Sequence, residues 1–182
     1  MMILMFSSLD YDERLAAILA LDGAGYRLMP LAHGTCSSPE AYQILKTSGP
    51  RELFPSSRAP EAAMAGVWLY FSCLDESHTL SQSIETADGS FWHGIMHRQE
   101  PDAGNSGYWF RRVGRHAIFP ALRDAAHAFG YSCGTAWDPL GFIDDCEQAR
   151  RQPGSDRELL MQRVQLVEWQ LLFDHCARSS VQ

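Results

Sequence analysis

Lysine is almost missing from this chain of 182 residues: Lys46 stands alone beside fourteen arginines. A basic surplus is missing too, since 15 Lys and Arg face 22 Asp and Glu, for a net charge of −7. That balance excludes a general nucleic-acid binder, which needs many cations to displace the counterions of the phosphate backbone. The arginine preference reads mainly as genome composition bias, although arginine also suits planar anion pairing. Long apolar runs are absent. The longest, Ala62 to Leu74, is interrupted by Gly66 and Ser72 and falls well short of the roughly 20 residues needed to span a bilayer. The apolar start, Met1 to Phe6, is too short for a signal-peptide core and has no basic residue before it. We therefore expect a cytoplasmic protein without membrane association. The five cysteines (Cys36, Cys73, Cys133, Cys146, Cys176) form an odd, scattered set without a Cys-x-x-Cys pair. That pattern excludes a zinc ribbon and a disulfide framework and predicts reduced thiols. No Gly-x-Ser-x-Gly elbow, phosphate-binding loop or dinucleotide fingerprint occurs, and Gly23-Ala24-Gly25 is too short to count as one.

Period-2 alternation, the mark of a half-buried strand, is also missing, and what is present is helical. Of the residues, 46% are hydrophobic and 11% aromatic, enough for one domain over 1–182 that buries roughly 70% of its unfolded surface. Helical spacing or caps predict helices over 10–21, 39–46, 60–82, 91–99, 102–113, 118–129, 140–150 and 155–176. Pro60 and Glu61 open the third of these. Asp88-Gly89-Ser90 reads as a turn before the fourth, and Ser155 with Glu158 as a capping box for the last. The expected fold is all-α, a compact bundle of six to eight helices.

The most distinctive string is His93-Gly94-Ile95-Met96-His97-Arg98-Gln99-Glu100-Pro101-Asp102, followed by Asn105 and Tyr108-Trp109-Phe110-Arg111-Arg112-Val113-Gly114. It resembles the signature of a family of uncharacterised bacterial proteins. The likeness extends through Trp137-Asp138-Pro139 and Glu168-Trp169 to His175-Cys176, and implies a soluble helical protein. The Tyr108-Trp109 pair with its following arginines is also similar to one unit of the tetratricopeptide type. A single copy implies only a helical hairpin, because solenoids need about three repeats to bury their faces.

Helical angle sorts the polar residues. At about 100° per residue, His97 lies about 40° and Glu100 about −20° from His93, on one face. Two imidazoles one turn apart are what a shared tetrahedral metal requires. The plain alternative is an amphipathic helix whose wet face happens to carry histidines. Asp75 and His78 continue the stripe of Met64, Trp68 and Phe71, provided the helix from Pro60 runs past Leu74. Glu168 and His175 fall on the stripe of Leu160, Val164 and Leu171. Asn105, Tyr108 and Arg112 share a face that can meet His93 and His97 if the two helices form a hairpin. A buried ionisable group without a partner costs several kcal/mol, so these residues should pair or bind something.

The expected site therefore gathers His78, His93, His97 and His175 as ligands for a divalent metal such as zinc. Glu168, Asp75 and Tyr108 would be its catalytic groups, and Arg112 and Asn105 would bind a small anionic or polar ligand. That set suits a metal-dependent hydrolase-type enzyme. The rival is a non-catalytic interaction or structural module in which the same residues only fix helix register. Cys73 reads as a packed small hydrophobe, Trp92, Trp109, Trp137 and Trp169 as core or interface aromatics, and His33, His116 and His127 as residues without a special role.

Overall fold

The computed structural model describes residues 6–179, and every regular element among them is helical. In chain order these are α1 (Glu13–Ala20), α2 (Pro39–Thr47), α3 (Pro50–Leu53), α4 (Pro60–Tyr70), α5 (Leu74–Gln82), α6 (Ala87–Gln99), α7 (Ala103–Val113), α8 (Phe119–Ala128), α9 (Pro139–Arg150) and α10 (Asp156–Ala177), with single 3-10 turns at Ser8–Asp10 and Gly23–Gly25. The all-α expectation holds, with ten α-helices in place of six to eight. No described helix is long and apolar enough to cross a membrane. Residues 1–5 of the apolar start lie outside the described residues.

Two departures account for the extra helices. Pro50 opens one turn in a stretch read as irregular, and the Glu52 carboxylate accepts from the Gly49 N–H (3.2 Å). The long helix expected over 60–82 is broken after Tyr70. Ser72 is left-handed (φ 57°); its N–H donates to the Leu69 carbonyl (2.9 Å), and the Cys73 N–H to that of Trp68 (3.0 Å). This pair of bonds is a Schellman stop, unusual in being built on serine instead of glycine. The break resets the helical register, so Asp75 is exposed instead of extending the apolar stripe. Beyond it α5 folds back on α4, where the Ser77 hydroxyl donates to the Ala65 carbonyl (3.0 Å).

The same corner corrects the reading of the thiols. Cys36 and Cys73 form a disulfide, with Cα atoms 4.7 Å apart, while Cys133, Cys146 and Cys176 are free. Sequence spacing gave no sign of this pair, because loop packing creates it: the Ser37 N–H donates to the Phe71 carbonyl (2.8 Å). At the far end, Ser155 caps α10 by accepting from the Glu158 N–H (3.1 Å), as expected. The Glu158 carboxylate turns instead to the Gly154 N–H (2.6 Å).

Helix α6 begins four residues earlier than its hydrophobic pattern suggests. The Thr86 hydroxyl accepts from the Gly89 N–H (3.3 Å), which places Asp88 in the first turn, where an acid favours the helix dipole. From Asp88 to Gln99 every residue is buried. A helix buried on every side has no wet face, so the plain amphipathic reading of His93 and His97 fails. Two glycines permit this burial. A Cβ on Gly66 of α4 would stand 2.6 Å from the Trp92 ring, and one on Gly94 2.9 Å from the Phe110 ring. The Trp169 indole N–H closes the same contact by donating to the Gly66 carbonyl (2.7 Å). Alanine normally favours a helix over glycine by about 1 kcal/mol. Here we expect Gly66→Ala to destabilise by about 1–3 kcal/mol through overpacking. The denaturant midpoint measures it, and an unchanged or higher midpoint would refute the close approach.

Candidate functional site

The residues expected in one pocket are dispersed over several places. Glu168, fully buried on α10, pairs with Arg98 of α6, which is 1% exposed. Arg98 grips both carboxylate oxygens (Nη1 to Oε1 is 3.4 Å) and donates to the Gln165 side-chain carbonyl (3.3 Å). Gln165 in turn donates to the Met29 and Pro30 carbonyls (3.3 and 3.2 Å). The guanidinium also lies over the Phe142 ring at 4.6 Å. Burial raises the Glu168 carboxyl, and the guanidinium beside it pulls the other way. The pair ties α6, α9, α10 and the Met29–Leu31 strand of chain together, away from the histidines.

The second place is a histidine trio. His78 of α5 and His93 and His97 of α6 pack tilted or edge to face, with ring centroids 4.6 Å (His78–His93), 5.4 Å (His78–His97) and 4.7 Å (His93–His97) apart, and one ring nitrogen from each lies within 4.8 Å of the others. Hydrogen bonds fix two of these rings. The Ser81 hydroxyl, one turn beyond His78, donates to the His78 carbonyl (3.3 Å) and stands 2.9 Å from His93 Nδ1. The Ser81 hydroxyl thus ties the His93 ring through Nδ1 to the end of α5. His97 Nδ1 donates to the Glu100 carboxylate (2.9 Å). Each ring is thereby oriented through Nδ1 by an outer partner, the arrangement that commonly holds a metal-binding histidine. Burial, and then the neighbouring His97 and His78, push the His93 pKa down to about 3. His93 is therefore neutral throughout the physiological range.

Helix α7 forms the expected hairpin with α6, but with a different face inward. Ser106, Gly107, Phe110 and Val113 are buried, and the side chain that meets His93 is Trp109, 4.1 Å away centroid to centroid. Arg112 lies over the outer side, 5.2 Å from the Trp109 ring and 5.9 Å from that of Tyr108. Its guanidinium also donates to the Tyr108 hydroxyl (3.4 Å). Among the described residues Arg112 has no carboxylate partner. Tyr108 is half exposed, and Asn105 is exposed and turned to the α7 N-cap, its amide donating to Asp102 (2.7 Å). Asp75 sits at the start of α5, in surface clefts shared with Trp68 and Leu80 (640 Å³) and with His33 and Cys36 (310 Å³). Four clefts of 310–640 Å³ are lined by other residues than the trio. The trio lies at a partly open edge formed by His78 and Trp109.

The third place takes His175, the fourth expected ligand, to the opposite end of α6. Its Nε2 is 3.3 Å from Asp88 Oδ1, and His116 Nε2 is 3.0 Å from the same oxygen. Arg58 holds Asp88 Oδ2 at 2.7 Å and donates through Nε to the His175 carbonyl (2.9 Å). The Asp88 carboxyl is held down to about 2: burial alone would raise it, but His116, Arg58 and His175 together outweigh burial.

Sequence reasoning missed Ser81, Trp109, Asp88 and His116. Ser81 and Glu100 each follow a histidine at i+3, a spacing that was available as a signal. Asp88 and His116 had none, since one read as a turn and the other as an ordinary loop residue. Comparison with known proteins adds no precedent for this geometry: no protein family, no curated protein and no solved structure matches the chain.

Proposed function

We propose that His78, His93 and His97 hold a divalent metal ion such as zinc, and that the chain is a metal-dependent hydrolase-type enzyme acting on a small anionic substrate. One observation carries the reading: one ring nitrogen each of His78, His93 and His97 lies within 4.8 Å of the others, while Ser81 and Glu100 orient the His93 and His97 rings through Nδ1. Zinc ligands at about 2.0–2.1 Å stand roughly 3.3 Å apart, so nitrogens within 4.8 Å need only ring adjustments to converge. Three nitrogen ligands would leave one position for water, whose acidity a bound zinc raises.

The remaining roles belong to the chain's own residues. Trp109 covers His93 and excludes water from one side. Arg112, stacked on that indole without a carboxylate partner, is placed to take the anionic group of a substrate. Glu100 keeps His97 oriented and makes it a stronger ligand.

A second reading has its own observation. The Arg98–Glu168–Gln165 network is fully enclosed and mutually bonded, as expected of a device that fixes register without a ligand. That reading concerns this network and leaves the trio to the metal. Metal analysis of purified protein loaded with zinc and desalted tests the proposal. His93→Ala and His97→Ala should each hold one equivalent fewer than the wild type. Should the same metal content persist in both variants, the trio is no metal site.

A further inference from the structure

A second group of potential ligands lies at the far end of α6, and it does not depend on the trio. We infer that Asp88, His116 and His175 form a separate site for a divalent first-row transition ion, bound by two imidazoles and one carboxylate. Its donors come from three elements: the first turn of α6, the connection between α7 and α8, and the last turn of α10. Ligands about 2.1 Å from one ion and at adjacent corners of its coordination shell are separated by about 3.0–3.4 Å. The two histidine nitrogens stand 3.0 and 3.3 Å from Asp88 Oδ1. Two of the three donor separations thus already match those of a loaded site, and the two histidine nitrogens lie within 4.8 Å of each other.

The surroundings are those of a built site. Phe91 and Phe119 pack on the His116 ring, with centroids 5.0 and 5.9 Å away. Arg58 takes the second oxygen of Asp88 and leaves Oδ1 to face the imidazoles, the outer bond that commonly orients a ligating carboxylate. Asp88 and His116 are buried, whereas the His175 side chain is 28% exposed. An ion can enter past His175 and keep open positions on that side. Two histidines and a carboxylate suit iron(II) and its neighbours, including zinc, which bind imidazole and oxygen together. Loading has a defined proton balance. His116 now donates Nε2–H to Asp88; on binding, the imidazole carries that proton on Nδ1, so His116 exchanges its hydrogen bond to Asp88 for the ion and gives up the weak contact that Nδ1 accepts from the Ile118 N–H (3.4 Å).

The test is a count of zinc equivalents retained by the full chain after metal stripping, reloading and gel filtration. Wild type should retain two. His175→Gln, at a partly exposed position, should retain one, as should Asp88→Asn. His93→Ala should also retain one, and His93→Ala combined with His175→Gln none. Circular dichroism establishes that each variant is folded, and His175→Gln decides the matter if Asp88→Asn is not. Retention unchanged by His175→Gln overturns the second site. Loss governed by His175 but not by His93 would overturn the trio and leave this site standing.

Discussion

Arg98→Met should lower stability by about 3–5 kcal/mol and the thermal midpoint by roughly 6–20 °C. The mechanism is the stranded partner. Glu168 is fully buried, and its carboxylate oxygens are satisfied by Arg98. Without the guanidinium, a charge is left in a low-dielectric interior, or the carboxyl takes up a proton at a similar cost. The pair itself contributes far less than its rupture costs, because desolvating two charges offsets most of their attraction. Arg98→Met with Glu168→Leu should therefore recover much of the loss, leaving chiefly the unpaired Gln165 carbonyl. A double variant as unstable as Arg98→Met alone would contradict this account. Zinc retention should be unaffected by either change, since neither residue touches the trio or the Asp88 group.

Metal-free protein should lose stability steeply as the pH falls from 6.5 towards 3. His93 binds its proton only near pH 3 in the folded chain, against 6.5 in an unfolded one. Below pH 6.5 the unfolded state therefore holds the extra proton, and folding weakens by about 1.4 kcal/mol per pH unit, or about 3–4 kcal/mol by pH 4. Asp88 acts in the same direction over a lower window. Its folded value of about 2, against 3.8, gives stability that is complete above pH 4, worth about 2 kcal/mol, and lost as the pH falls through 2. Denaturant titrations at pH 7 and pH 4 measure the first effect. His93→Gln has no proton to gain and should show a shallower pH dependence over that interval. If it follows the wild-type slope, the proton uptake belongs to another group.

Much of the fold is legible in the chain without coordinates. Pro39, Pro60, Ser38, Asp102 and Ser155 mark helix starts that the structure keeps, because a cap or a first-turn proline acts within a few residues. His93 and His97 share a face for an equally local reason, the helical period itself. The failures are informative. Ser72 stops α4 in a left-handed conformation usually taken by glycine, so no residue signalled the break, and the angle assigned to Asp75 lost its meaning beyond it. On α7 the angles were right, but the inward face was not: Phe110 and Val113 turn to the core, which leaves Tyr108, Arg112 and Asn105 at the rim.

By itself, then, the sequence determined an all-helical chain with His93 and His97 on one helix face and Glu168 on an apolar stripe. Only the tertiary structure decided their partners, sending Glu168 to Arg98, His175 to Asp88 and His78 to His93. Helical angle follows from backbone hydrogen bonding within one turn and can be read locally. Which faces meet depends on how helices cross, a balance of many weak contacts such as Trp92 against Gly66, and residues far apart in the chain contribute to it without any local mark.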